Sequence, residues 1–581
     1  MRSVKNWQTA EGPLWAINQR KEALIAQVTG GGSPAAFALA FADWWMHLCT
    51  APGKQIELGM MCGAEAAVLW RRAALPWTGV NRTASAPAVD NAQALQAWQR
   101  EPFNLWWHTF QSARRWWMNA TRDVPGVAAH HADLMSFCGA QWCDMFSPAN
   151  FAWSNPVVVE RSLAEGGRNL IAGQMNFLAD LQRKLSNAPE EGAERFQVGK
   201  DVAITPGAVV FRNHLIELIQ YEPSTTTTHP EPILITPAWI MKYYVLDLSP
   251  GNSLIRHLVA QGYTVFCISW RNVDSRDRDL SLDDYLHMGF MTALDAVCRI
   301  TPGRRVHAVG YCLGGTLLCI AAAAMAGKKD DRLATLTLLA AQTDFTEPGG
   351  LGMYIDASEV YLLESLMWAQ GYLSAGQMSA AFQSLRPVSD TAARAVRRYL
   401  LGERTAPNDL MAWNADSTRM PYRMHAEYLR KLFLNNELAG GRYQVDGRII
   451  ALRNIRVPIY ALGAENDWIA PWRSIYKIHY QTDADIRFVL ASGGHNAGVV
   501  SEPGHPGRWH RVREGAMDSL RVGPDEWAAG SSLHAGSWWP DWHAWLDAHS
   551  GPAQPGLPPL GAPLTNRAAL TPAPGRFVLQ D

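Results

Sequence analysis

The stretch that decides the fold reads Val306-His307-Ala308-Val309-Gly310-Tyr311-Cys312-Leu313-Gly314-Gly315. Its first four residues have the texture of a short buried strand, and the apolar run after the last glycines has that of a buried helix. Between them, Gly310-Tyr311-Cys312-Leu313-Gly314 has the form of a nucleophile elbow, with Cys where Ser is usual. The chemistry needs those glycines. A nucleophile on a tight, strained turn must have neighbours without side chains if strand and helix are to approach. The helix N-terminus then favours a thiolate and offers backbone N–H groups to an oxyanion. A buried Cys on the Gly-rich turn of an ordinary βα unit would look similar, so the partners of Cys312 carry the decision. Residues 308–327 also lack any charge over about 20 positions, long enough to span a membrane. Their glycines and strand-like start favour a buried strand running into a buried helix.

A nucleophilic thiol needs a base, and the base an orienting acid. On this kind of elbow the chain order is nucleophile, acid, His. Asp467 lies in Leu462-Gly463-Ala464-Glu465-Asn466-Asp467, and His495 in Ser492-Gly493-Gly494-His495-Asn496-Ala497-Gly498. Both follow strand-like runs, 155 and then 28 residues on, and the second spacing suits one βα unit. Asp after a strand is often only a helix cap, and a lone His is often structural, so it is the ordered set of three that points to a triad. Asp344, in Gln342-Thr343-Asp344-Phe345, is the reserve acid. His307, His505 and His510 are weaker bases: the first lies inside the strand before the elbow, the others beyond the Gly-rich turn. An oxyanion hole would combine the N–H of Leu313 with one from the loop Thr236-Pro237-Ala238-Trp239-Ile240-Met241-Lys242, where Ile240 is the expected donor. A proline-bent connection with no part in chemistry is the plain alternative for that loop.

From about residue 205, short apolar runs alternate with helical segments. Strands are expected at 232–236, 264–270, 306–309, 335–340, 459–463 and 486–490. Such alternation implies a parallel sheet with helices on both faces, here an α/β-hydrolase fold. Residues 345–447 hold no clear strand and are too many for one loop, so they read as an inserted, mainly helical lid or cap. Residues 1–200 read as a mainly α-helical N-terminal domain that ends in a polar linker at 185–194. Residues 35–49 are apolar at helical spacing, and the pairs Trp106-Trp107 and Trp116-Trp117 suggest one packed helical face. Residues 201–550 form the catalytic domain, and 551–581 a Pro- and Gly-rich tail expected to be extended or mobile.

Composition limits the rest. The 581 residues are 48% hydrophobic and 18% charged, a globular balance that excludes a disordered chain, collagen or a coiled-coil rod. Lys+Arg 52 against Asp+Glu 53 leaves no basic excess for nucleic acid. The eight cysteines are scattered without CxxC spacing, which argues against a zinc site or a disulfide framework. No ligand-spaced cluster or P-loop suggests a metal or an organic cofactor. Residues 1–27 contain no apolar leader core, so a cytoplasmic setting is expected. Trp 25 exceeds both Tyr 16 and Phe 17, and 13 of the Trp precede residue 200.

Gly310-Tyr311-Cys312-Leu313-Gly314-Gly315 and residues 237–248 together resemble polyhydroxyalkanoate synthase, the bacterial storage-polyester polymerase. Ser269-Trp270-Arg271-Asn272, residues 413–421 from Trp413 to Pro421, and Gly536-Ser537-Trp538-Trp539-Pro540-Asp541-Trp542 are similar too, as are residues 150–156 and 196–200. The likeness runs from about residue 35 to 548, and the single-chain layout is similar to the class I form that favours short acyl groups. It implies an acyltransferase that polymerises (R)-3-hydroxyacyl-CoA and releases CoA. Cys312 would be acylated, His495 would be its base and Asp467 the acid; either of the last two would activate the substrate 3-hydroxyl. It also implies a homodimer, phasin-type granule proteins as partners and a place on polyester granules. Hydrolases of this fold, such as a depolymerase or thioesterase, usually carry Ser at the elbow, and a non-catalytic granule protein would not need the three residues. The chain departs from the family at Met241, where Asn is frequent, at Trp468, where His is frequent, and in the ending Ser501-Glu502-Pro503-Gly504-His505-Pro506. The Trp-rich N-terminal region would be a granule-contact or dimer-supporting element, unless its Trp simply fill a helical core.

Overall fold

The six apolar runs beyond residue 205 lie side by side in the computed structural model. The structure describes residues 13–74, 92–186, 191–384, 386–404, 406–513, 522–556, 559–564 and 570–580. Residues 1–12 of the stretch read for a leader, and 187–190 of the expected linker, lie outside them. The main sheet has eleven strands: β1 (Gly207–Arg212), β2 (Ile216–Tyr221), β3 (Ile233–Thr236), β4 (Val265–Trp270), β5 (Val306–Tyr311), β6 (Leu333–Leu339), β7 (Ile459–Ala464), β8 (Ile486–Ala491), β9 (Trp509–Val512), β10 (Ser532–Ala535) and β11 (Thr571–Pro572). Their order across it is β10-β9-β8-β7-β6-β5-β3-β4-β2-β1-β11. The expected strands are β3 to β8, and they form its parallel centre. Nearly every residue in them is buried, so they read as continuous apolar runs rather than alternating ones.

The sheet is mixed rather than purely parallel. Antiparallel β2, β1 and β11 extend one side, and antiparallel β9 and β10 the other. β2 conceals itself in the sequence because it buries polar side chains. Glu217 is fully buried, paired to Arg212 at 2.5 Å, and its Oε2 accepts the N–H groups of Arg576 and Phe577 at 2.8 and 2.9 Å. The last two bonds come from the tail, where the extended alternative of the expectation fits the described residues, tied down rather than mobile. Thr571–Pro572 pairs with β1, Gln554–Pro555 pairs with Thr227–Thr228, and Asn272 N–H donates to Gln580 Oε1 at 3.1 Å. Pro and Gly suit a strap that makes few ladder bonds of its own.

Between β6 and β7 the chain inserts helices, including Ala357–Gln370, Asp409–Asn414 and Tyr422–Glu427, with π-helical turns at Val396–Leu400 and Tyr428–Leu434. Two short ladders accompany the helices of this mainly helical insert, Tyr372–Leu373 with Met420–Pro421 and Gln444–Val445 with Arg448–Ile449.

The chain divides into two compact units at places other than residues 200 and 550. One holds the chain up to Gly32, Ala193–Ser379 and everything from Asn408; the other holds Ser33–Gly192 and Ala380–Pro407. Long-range packing sets these limits. In the first unit, Ala26 of helix Pro13–Thr29 is buried against Leu362 and Leu366, and Trp15 meets Trp368 edge-on at 5.2 Å. In the second, a Cβ on Gly173 would stand 1.9 Å from the Tyr399 carbonyl oxygen.

The second unit divides its Trp between two roles. Trp44, Trp98 and Trp107 are buried, with Trp44 Nε1 donating to Ala120 O at 2.8 Å. Trp45, Trp70, Trp142 and Trp153 are half to three-quarters exposed. Trp106-Trp107 and Trp116-Trp117 do not form one face of helix Phe103–Thr121: Trp107 meets Trp98, Trp106 meets Trp153, Trp116 bonds Leu58 O and Trp117 meets Trp44. Helix Arg168–Leu185 is inverted. Asn169, Gly173, Asn176 and Asp180 face residues 398–400, while Ile171, Met175, Leu178 and Leu185 are exposed. Among the described residues no single helix is long and apolar enough to cross a membrane.

Candidate active site

β5 ends at Tyr311 and helix Leu313–Gly327 begins one residue after it, so Cys312 makes the turn alone. Its φ of 53° and ψ of −124° lie where L-residues are strained, typically by about 1–3 kcal/mol. The surrounding glycines hold the strain in place. A Cβ on Gly310 would sit 2.4 Å from Gly315 Cα, one on Gly314 2.1 Å from Thr236 O, and one on Gly315 2.4 Å from Ala341 Cβ. The Cys312 N–H is fixed by Leu339 O at 2.9 Å. Gly315 and Thr316 N–H donate to Cys312 O at 2.9 and 3.2 Å, and the positive end of the helix dipole, with Leu313 as its first residue, falls beside the thiol.

Asp467 follows β7, which pairs in parallel with β6, and His495 follows β8, which pairs in parallel with β7, so both reach the same end of the sheet as Cys312. His495 Nδ1 lies 2.7 Å from Asp467 Oδ2. The other carboxylate oxygen accepts Ile469 and Ala470 N–H, both at 2.9 Å. With Nδ1 so engaged, Nε2 is the nitrogen left for the hydrogen bond to Cys312. Burial lowers the basicity of His495, but the Asp467 carboxylate and Cys312 together hold it well above the ordinary range.

The structure brings these three residues together and leaves the other candidates apart. Asp344 accepts from Thr346 and from Asn436 Nδ2. His307 is buried within the sheet, bonded to Thr335 and Ser550; His505 bonds Pro506 O, and His510 bonds Gly536 O. Among the described residues no group of three or more His, Cys, Asp or Glu is placed to hold a metal ion.

The loop after β3 lies against the elbow helix, as the contact at Gly314 shows. Trp270 Nε1 donates to Pro237 O at 2.8 Å, Thr418 Oγ1 to Trp239 O at 2.5 Å, Thr418 N–H to Ile240 O at 3.2 Å and Trp413 Nε1 to Lys242 O at 2.7 Å. Lys242 also pairs with Asp416 at 2.8 Å. The insert therefore clamps the backbone around Ile240, and Met241 is bridged to Ser417.

Residues 16–54 match the family model described as "Poly-beta-hydroxybutyrate polymerase N terminal", residues 90–258 "Poly-beta-hydroxybutyrate polymerase (PhaC) N-terminus" and residues 231–501 "alpha/beta hydrolase fold". The poly(3-hydroxyalkanoate) polymerase of Methylorubrum extorquens is 36% identical over 543 residues, 92% of this chain and 88% of that one. The corresponding polymerase subunit of Cupriavidus necator is 34% identical over 561 residues, 94% and 92% of the two chains. The chain belongs to the poly(3-hydroxyalkanoate) polymerase family.

In this polymerase, residues beyond the expected three also bear on the site. Trp538 Nε1 donates to Gly498 O at 2.9 Å and Trp539 Nε1 to Val499 O at 3.0 Å, so two indoles pin the His495 loop from forty residues away. Tyr428, at the start of a π-helical turn of the insert, is close enough to Cys312 to feel its charge; burial, and then that charge, push its phenol well up. The Gly-Ser-Trp-Trp-Pro run was a signal for the first pair. Tyr428 had none, since a π turn reads as ordinary helix.

Proposed function

We propose that this polymerase lengthens poly(3-hydroxyalkanoate) by transferring (R)-3-hydroxyacyl groups from coenzyme A through a thioester on Cys312, with Asp467 and His495 completing the catalytic set. The observation that carries the reading is Cys312 on a glycine-walled elbow, with His495 bonded both to it and, through Nδ1, to Asp467. Thiolate attack on the acyl-CoA carbonyl exchanges one thioester for another, and CoA leaves as its thiol with a proton from His495. The N–H of Leu313 and that of Ile240 stand for the oxyanion. The 3-hydroxyl of a second unit then attacks the enzyme thioester, giving its proton to His495 as the ester forms and the Cys312 sulfur departs. Oδ2 of Asp467 is already bonded to His495 and Oδ1 to two backbone N–H groups, which favours His495 over the carboxylate as the base for that hydroxyl. Water would compete at this step, and the insert that clamps the Ile240 loop is the element suited to exclude it.

The helical region, with its exposed Trp and its inverted helix, acts in this proposal as the contact with the polyester, which is apolar and insoluble. A homodimer and phasin-type partners on the granule belong to the same reading. Purified protein mixed with 3-hydroxybutyryl-CoA is expected to release CoA together with insoluble polymer, and Cys312→Ala to release none. CoA release with only free 3-hydroxybutyrate would identify a thioesterase instead.

A further inference from the structure

Tyr311 stands directly before the nucleophile and Asn496 directly after the base. The Tyr311 hydroxyl donates to Asn496 Oδ1 at 2.5 Å, and Asn496 Nδ2 donates to Asn414 Oδ1 at 3.2 Å. The buried Tyr311 ring also lies against the His495 imidazole, centroids 5.7 Å apart and planes at 33°. Asn414 ends helix Asp409–Asn414. It is followed within four residues by Asp416 and Thr418, which hold the backbone and side chains of the loop from Trp239 to Lys242. One chain of hydrogen bonds thus joins the strand that carries the nucleophile, the loop that carries the base and the segment that clamps the expected oxyanion loop.

We propose that Asn496 is a positioning residue, held between Tyr311 and Asn414, that sets the His495 imidazole against Cys312 and couples it to the loop around Ile240. The proposal rests on the catalytic reading of Cys312, His495 and Asp467 above. Asp467 fixes one nitrogen of the ring but not the path of the main chain that bears it. That path runs through Gly493, Gly494 and Gly498, with Gly493 at a φ of +102°; Trp538 and Trp539 hold it beyond the base, at Gly498 and Val499, and the glycines offer no side chain to tie it beside the base. Asn496 supplies what the glycines lack. An amide can accept on one side and donate on the other, and Tyr311 keeps a proton to donate because burial, followed by the charges of Cys312 and Asp467, holds its phenol neutral. The amide stands with Oδ1 towards Tyr311 and Nδ2 towards Asn414. A Phe at 311 would fill the same space and remove only the link.

A misplacement of about 1 Å at a reacting group can lower turnover by about a hundredfold, and loss of a neutral hydrogen bond is the smaller disturbance. CoA release from 3-hydroxybutyryl-CoA, followed from about pH 6 to pH 9 across the titration range of a histidine, separates the outcomes. Tyr311→Phe and Asn496→Ala are each expected to lower kcat by about tenfold with KM within about twofold. The acid limb of the profile moves to lower pH, because a displaced imidazole loses part of the Cys312 influence that raises it. The double variant is expected to be no slower than the worse single one, since both break one linkage. An unchanged pH limb in Tyr311→Phe, or losses that multiply in the double variant, would overturn the proposal. Tyr311→Phe keeps the ring and remains decisive if Asn496→Ala fails to fold. Cys312→Ala in the same assay separates the two layers. Retained turnover there removes the catalytic reading itself; a dead Cys312→Ala beside a fully active Tyr311→Phe removes only the positioning role.

Discussion

Nδ1 of His495 lies 2.7 Å from Oδ2 of Asp467, a carboxylate whose other oxygen already accepts two backbone N–H groups. The acid is held at both ends, so its effect reaches the chemistry only through the imidazole. Asp467→Asn keeps the shape and removes the largest of the influences that raise His495. By analogy with other triads, kcat is expected to fall by about 10³–10⁴-fold. The limb set by protonation of His495 should shift to lower pH, because the imidazole would lose its proton more readily. CoA release measured across pH tests both, and an unmoved limb would mean that another group titrates.

The glycine walls of the elbow make a contrast within one helix. A Cβ at Gly314 meets the Thr236 carbonyl at 2.1 Å, backbone that cannot swing aside, whereas one at Gly327 meets nothing within 4 Å. Gly314→Ala is expected to lose about 3 kcal/mol or more, or not to fold. Gly327→Ala should be neutral or gain about 0.5–1 kcal/mol from helix propensity. Urea unfolding of the two variants beside the parent measures the difference; equal midpoints would mean that the elbow packs more loosely than described.

Acid should destabilise this chain through its buried histidines. Burial pushes both His307 and His425 from 6.5 down to about 3. Below about 6.5 the unfolded chain takes up these protons and the folded chain does not until about 3. Their contribution is thus intact above the unfolded value and lost progressively as pH falls towards 3. Thermal midpoints are expected to drop steadily on acidification, and less steeply in His307→Gln, which can still bond Thr335 or Ser550. The same slope in that variant would count against His307 as a source.

On helix Arg168–Leu185, replacing Ile171, Met175 and Leu178 with Gln changes only exposed positions. The thermal midpoint should stay within a few degrees, about the effect of surface substitutions, while co-sedimentation with amorphous poly(3-hydroxybutyrate) particles weakens. Equal sedimentation would move the polyester contact to another face.

How much of this was legible in the sequence depended on the range of the signal. β3 to β8 are buried on both faces and announce themselves as apolar runs, whereas β2 hides Glu217 and Gln220 in its core and β10 leaves Ser532, Leu533 and Ala535 exposed. The elbow and the loops of Asp467 and His495 are local patterns of a few residues each, ambiguous one by one, and their order along the chain let them be read as one set. Trp538, Trp539 and Asn414 act through contacts made many residues away, and periodicity carries no trace of them. The division into units failed to show for the same reason: Ala26 and Leu362, or Gly173 and Tyr399, are neighbours only after folding.

The strap at the chain's end has one further consequence. β1 is an edge strand until Thr571–Pro572 reaches it, and Glu217 lacks two of its donors until Arg576 and Phe577 arrive. Those residues lie about 360 positions beyond the strands they cover. A folding polymerase therefore keeps one flank of its sheet unsealed, open to pairing with any other extended chain, until a segment from far along the sequence returns to close it.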